Sequence, residues 1–169
     1  MRITSAFVLF WGSKDVYSNW YIGAPFTVEG ITFNCVEQFF MYHKAMLFHD
    51  IDTANKILKE PEPREQKKLG RKIVGYDEDK WTDRRFRVMT VGKFEQFIQN
   101  PDLEKRLFEE TGNKIIVEAS PSDKIWGIGM DENNVNATDP SKWLGQNLLG
   151  MAIMAVRSRL LDYNKQGIK

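Results

Sequence analysis

The chain has 169 residues, 42% of them hydrophobic, which one core can absorb. Its 24 basic and 23 acidic side chains leave a net charge of +1, which excludes a protein that grips DNA or RNA by broad phosphate neutralisation. No apolar run reaches the roughly 18–20 residues that span a membrane. The N-terminus reads as lacking a cleavable leader. The single cysteine, Cys35, excludes an intrachain disulfide. A cytoplasmic protein with no membrane partner is expected. Aromatic residues make up 12% of the chain and include five tryptophans, as suited to filling a core as to stacking on bases.

In chain order, the apolar run Ala6 to Trp11 predicts a buried strand, and Gly12 to Asn19 a polar turn. Phe26–Val28 and Ile31–Phe33, split by Glu29-Gly30, predict a hairpin. Helices are predicted over Asn34 to Phe48, over Asp52 to Glu60 before Pro61, and over Arg64 to Arg71. Gly75 to Lys80 reads as a loop, and Trp81 to Gln99 as a helix broken by Asn100-Pro101. A further helix, Asp102 to Glu110, stops at Gly112. Ile115 to Ala119 is β-branched and reads as a strand. Ser120 to Trp143 is long and irregular, a feature often tied to function. Leu144 to Leu161 predicts a closing helix. The expected fold is α+β, a predominantly helical single domain over 1–161 with a few short strands and a tail over 162–169.

Several residues invite chemistry, each with a plainer reading beside it. Glu37 and Lys44 are seven residues apart on one helix face, about 10 Å along the axis, with Phe40 and Met41 between them. They could flank a small ligand. Equally, Asn34-x-x-Glu37 resembles a capping box and Lys44 a solvated lysine. Asp123 and Trp126, with Gly127 and Gly129, follow a strand end; Asp123 could be a turn former and Trp126 core. Trp81 could stack on a base and Arg84, Arg85 or Arg87 clamp a phosphate, or they could be a core residue and a solvated face. Gly145 to Gly150 opens a helix whose free amides would favour phosphate, although its glycines could serve packing alone. His43, His49 and Cys35 have no metal-ligand spacing, so neither metal nor cofactor is expected.

Read in order, the segments resemble the NADAR (YbiA-like) family of N-glycosidases. The carriers are Tyr17-Ser18-Asn19-Trp20, Pro25-Phe26, Val36-Glu37-Gln38-Phe39-Phe40 with Lys44-Ala45, and Leu69-Gly70-Arg71. They continue with Trp81, Met89, Lys93-Phe94, Val117-Glu118, Asp123 with Trp126-Gly127-Ile128-Gly129, and Gly145-x-Asn147-x-x-Gly150 with Arg157. The resemblance implies cleavage of a ribose C1–nitrogen bond, with Glu37, Lys44 and Asp123 catalytic. It implies substrate binding by Trp81, Trp126, Gly127, Gly129, Asn147, Asn19 and Arg84. The implied substrates are ADP-ribose on guanine, with nucleic acid as a carrier of the modified base, or a phosphoribosylamino-pyrimidine of riboflavin synthesis. A module that binds ADP-ribose without cleaving it is the alternative from another class. Relatives commonly carry His where this chain has Gln38, and Gln-Ala-Gln where it has Met41-Tyr42-His43. Those changes are expected to reshape the pocket beside Glu37 in favour of ADP-ribosylated guanine.

Overall fold

A computed structural model describes residues 1–167. It is α+β and mostly helical: short strands β1 (Arg2–Ile3), β2 (Phe7–Phe10), β3 (Phe26–Val28) and β4 (Ile31–Phe33) precede helices α1 (Val36–Leu47), α2 (Ile51–Lys59), α3 (Pro63–Gly70), α4 (Glu78–Gln99) and α5 (Pro101–Thr111). Strand β5 (Ile115–Glu118) and helix α6 (Leu148–Lys165) complete it, with a 3-10 turn at Pro140–Lys142. The chain gathers into two compact units, one from Asn19–Asn100 and one from Met1–Ser18 with the residues from Pro101 onward.

In the Asn19–Asn100 unit, α1 packs against α2, α3 and α4. Its upper end carries an aromatic cluster: Phe39 lies 5.1 Å from Phe33, 5.7 Å from Phe26 and 4.2 Å from His43, ring centre to ring centre. Gly92 lets α4 approach, since a Cβ there would stand 2.7 Å from the Phe39 ring and 3.4 Å from Val36. Local chemistry sets the helix starts. The Asp50 carboxylate accepts from Thr53 N–H to open α2, Pro63 opens α3, and Asp77 accepts from Lys80 N–H to open α4.

In the other unit, β1, β2 and β5 form a sheet in that order, β1 antiparallel and β5 parallel to β2, with Phe10 opposite Glu118. Leu9, Val117, Ala119, Ile128, Met130 and Ala137 form its core, with Trp143 packed against it. Helix α6 packs on β5 and α5 on β2.

The larger differences from the sequence reading lie at β1, α4 and α6. Strand β1 is too short and too exposed to leave a pattern. Helix α4 begins at Glu78, inside the expected 75–80 loop, because Asp77 caps it. Helix α6 begins at Leu148 rather than Leu144, because Asn147 is left-handed at φ 54°. It continues to Lys165, so part of the expected 162–169 tail is helical; Ile168 and Lys169 lie outside the described residues.

Candidate active site

Glu37 stands in the first turn of α1 and is buried, and its backbone N–H donates to the Asn19 carbonyl at 3.0 Å. The expected capping box does not form. The N-cap is Cys35, with no side-chain cap, and it is Gln38 whose Oε1 accepts from Asn34 N–H at 2.8 Å. Gln38 Nε2 donates to the carbonyls of Ile57, Leu58 and Glu60, fastening the end of α2. Glu37 is therefore a buried carboxylate without a capping task. Asn19 beside it is also buried, and its Oδ1 meets no hydrogen-bond partner among the described residues. A buried acceptor left this way costs about 1–3 kcal/mol unless a ligand supplies the donor.

Lys44 lies in the last turn of α1 and is half-buried, not solvated. Its Nζ donates to the Gly70 carbonyl at the end of α3 at 3.0 Å. It sits 4.2 Å above the Tyr76 ring and 5.8 Å from the Trp81 ring. Burial lowers its pKa below the usual lysine value, and Arg71 adds to this; Glu78 and Glu37 oppose it. Tyr76 and Gly70 escaped the sequence reading as neighbours of Lys44, because nothing local marks a carbonyl or a loop ring that meets a helix from a distance.

Trp81 is buried on α4, with its ring centre 4.8 Å from that of Phe40. That packing is what the core reading of Trp81 expects, whereas Arg84 is exposed, 3.4 Å from Asp83. Arg85 pairs with Glu78 at 3.8 Å. Gln38, Tyr42 and His43, the residues expected to reshape the pocket beside Glu37, all make packing or hydrogen-bond contacts within this unit. Gln38 is committed to α2, while Tyr42 and His43 pack in the aromatic cluster with Phe33, where burial lowers the His43 pKa.

In the other unit, Asp123 Oδ1 accepts from the N–H of Ile125 at 2.9 Å and of Trp126 at 2.8 Å, the turn-forming role its position allowed. Gly127 is packed: a Cβ would lie 2.9 Å from the carbonyls of Asp123 and Glu118. Gly129 adopts φ +70°, which glycine tolerates. Asn147 is buried and spans to β5, its Oδ1 accepting from Glu118 N–H at 3.0 Å and its Nδ2 donating to the Ile116 carbonyl at 2.9 Å.

The phosphate reading of the helix start is overturned. The N–H groups of Gln146, Asn147, Leu148 and Leu149 donate to the carbonyls of Lys124, Gly127, Ile125 and Trp126. These amides knit the irregular 124–128 stretch to the opening of α6 and leave that site to packing.

The chain is similar to several known proteins. An N-glycosidase of Acanthamoeba polyphaga mimivirus is 46% identical over 121 residues, covering 72% of this chain and 71% of that protein. Protein irg-1 of Caenorhabditis elegans is 40% identical over 172 residues, covering 93% of this chain and 81% of that one. A riboflavin biosynthesis protein of Vibrio vulnificus is 30% identical over 122 residues, covering 72% of this chain but 30% of its own length. The NMR structure of the E. coli protein YbiA shares the fold at a TM-score of 0.76 and 23% identity, covering 96% of this chain and 89% of that one. The NADAR domain model matches residues 9–161, taking in segments of both units, and the chain belongs to the NADAR domain family.

Proposed function

We propose that the protein is a hydrolase of N-glycosyl compounds that cleaves a ribose C1–nitrogen bond, with Lys44 and Glu37 carrying the chemistry. The observation that carries this is a lysine whose amine is made easier to deprotonate by burial, on the same helix as a buried carboxylate. Kinship with a mimivirus N-glycosidase supports the reaction class.

In the proposed sequence, the leaving nitrogen's electron pair forms C1=N as the C1–ring oxygen bond opens, and the ring oxygen takes a proton. The neutral Lys44 amine adds to C1. The nitrogen of the base departs with a proton, and C1 remains bound to Lys44 as an imine. Water adds to that imine, the Lys44 amine is expelled, and the ribose closes with a hydroxyl at C1. Glu37 moves the protons and offsets positive charge at C1. A module that only binds ADP-ribose needs neither a deprotonatable lysine nor a buried acid.

The proposed substrate is ADP-ribose on guanine. The exposed guanidinium of Arg84, one turn beyond Trp81, supports it as a contact for a pyrophosphate. A second reading, a phosphoribosylamino-pyrimidine, is favoured by the name of the Vibrio relative. Incubating the protein with each substrate and quantifying the released base decides between them. A preference of tenfold or more in kcat/KM for the pyrimidine, about 1.4 kcal/mol, overturns the first. Borohydride added during turnover should leave a ribose-derived mass on Lys44. Near wild-type turnover by Lys44→Ala would overturn the imine route.

A further inference from the structure

Beyond the two groups assigned to the chemistry, the loop between α3 and α4 carries a side chain with no role in the reaction as written. Tyr76 covers the Lys44 ammonium at 4.2 Å, while its hydroxyl donates to Glu78 Oε2 in the first turn of α4. The loop is fixed on both sides. Val74 N–H donates to Asp50 Oδ2 at 2.9 Å, and the Phe48 ring meets Tyr76 edge-on at 5.4 Å. Glu78 Oε1 accepts from Thr82 Oγ1 at 3.1 Å. An exposed tyrosine is thus held in one orientation by contacts from the C-terminal end of α1 and the start of α4, with its ring on a half-buried amine.

We infer that Tyr76 is a positioning residue for Lys44: its ring covers the ammonium, and its hydroxyl pins the Glu78 carboxylate where that charge acts on the same ammonium. A ring face attracts a cation, so the ring favours the charged amine and fixes where it points. The charged groups acting on Lys44 are Glu78 on α4, Glu37 on α1 and Arg71 beyond α3. Glu78 heads those favouring the ammonium, and burial opposes it. Burial and then the Glu78 contact push the Tyr76 hydroxyl up to about 12, so it stays a donor through the neutral range. This inference rests on the reading of Lys44 as the amine that reacts, and it is tested without substrate.

The test is site-resolved acetylation of Lys44 by acetic anhydride across a pH series, read by peptide mass spectrometry with exposed Lys56 as the internal reference. Glu78→Gln removes the charge but keeps an acceptor for the hydroxyl, so the Lys44 midpoint should move to lower pH. Tyr76→Phe keeps the ring and releases the carboxylate, so its midpoint should move the same way by a smaller amount. The double variant should move no further than Glu78→Gln alone, because the hydroxyl acts through that carboxylate. A Tyr76→Phe midpoint equal to or above wild type overturns the inference, whatever the turnover. The expected shifts in a protein that cleaves neither substrate would sustain this role for Tyr76 and refute the glycosidase reading instead.

Discussion

Asn147 separates a binding role from a structural one by magnitude. Its carboxamide closes two backbone groups, the part-buried Glu118 N–H at 3.0 Å and the buried Ile116 carbonyl at 2.9 Å. Asn147→Gly keeps the left-handed backbone at φ 54° free of strain but removes both contacts. Leaving a donor or acceptor unsatisfied away from water costs about 1–3 kcal/mol each, so the variant should lose about 2–6 kcal/mol. Asn147→Ala adds a left-handed penalty of about 1 kcal/mol on top. Against a total stability of about 5–15 kcal/mol, either loss shows clearly as a lower urea midpoint at unchanged slope. Turnover measured well below that midpoint should fall only as far as the folded fraction falls. If Asn147→Gly stays within about 0.5 kcal/mol of wild type yet loses turnover, the clamp reasoning fails and the side chain contacts substrate.

Two further predictions follow from the same geometry. In Asp123→Asn the amide oxygen can still accept from Ile125 and Trp126 N–H, so stability should change by less than about 1 kcal/mol. Turnover should nevertheless fall about a hundredfold if the charge is used; full activity in a stable Asp123→Asn protein would reduce Asp123 to its turn. The lowered Lys44 pKa has a sign in both stability and rate. Between its folded value and the ordinary 10.5, the unfolded chain binds more protons than the folded one, so this group's contribution to stability rises with pH there and is lost as pH falls through the folded value. Turnover should rise along an alkaline limb with a midpoint below 10.5, absent in Lys44→Arg; a limb centred at or above 10.5 refutes it.

The helices and the hairpin were legible because their periodicities are local. So were the turn role of Asp123 and the shared segment of Glu37 and Lys44. Less legible was everything that depends on chain segments meeting. Gln38 looked like a pocket substitution until its amide proved to fasten the carbonyls that end α2. The opening of α6 looked like an open anion site. Its amides are spent on the carbonyls of the stretch after β5, a backbone pairing that leaves no side-chain pattern. The full burial of Lys93, 3.3 Å from Gln96 Oε1, has no local signature, because burial of a cation depends on neighbours distant in sequence.

Gly70 shows how such a meeting is built and how it can be broken. It ends α3, and a Cβ added there would stand 2.0 Å from Met41 Sδ and 3.4 Å from Met41 Cβ. Met41 and Lys44 are three residues apart on α1, hence on one face. The absence of a side chain at Gly70 lets α3 close onto Met41, and that closeness carries the Gly70 carbonyl to Lys44 Nζ. Gly70→Ala displaces the flexible Met41 sulfur and crowds Met41 Cγ at 3.0 Å, and the expected response is a lift of the end of α3 away from α1. Overpacking of this kind costs about 1–3 kcal/mol. The lift withdraws an acceptor that favours the ammonium, so the Lys44 acetylation midpoint should fall below that of wild type. Met41→Ala placed in the Gly70→Ala background makes room for the new methyl and should restore the midpoint, although it opens a cavity and does not restore stability. A Gly70→Ala protein with an unshifted midpoint would mean that the carbonyl contributes nothing to holding the amine charged, and that burial and the surrounding charges set its protonation alone.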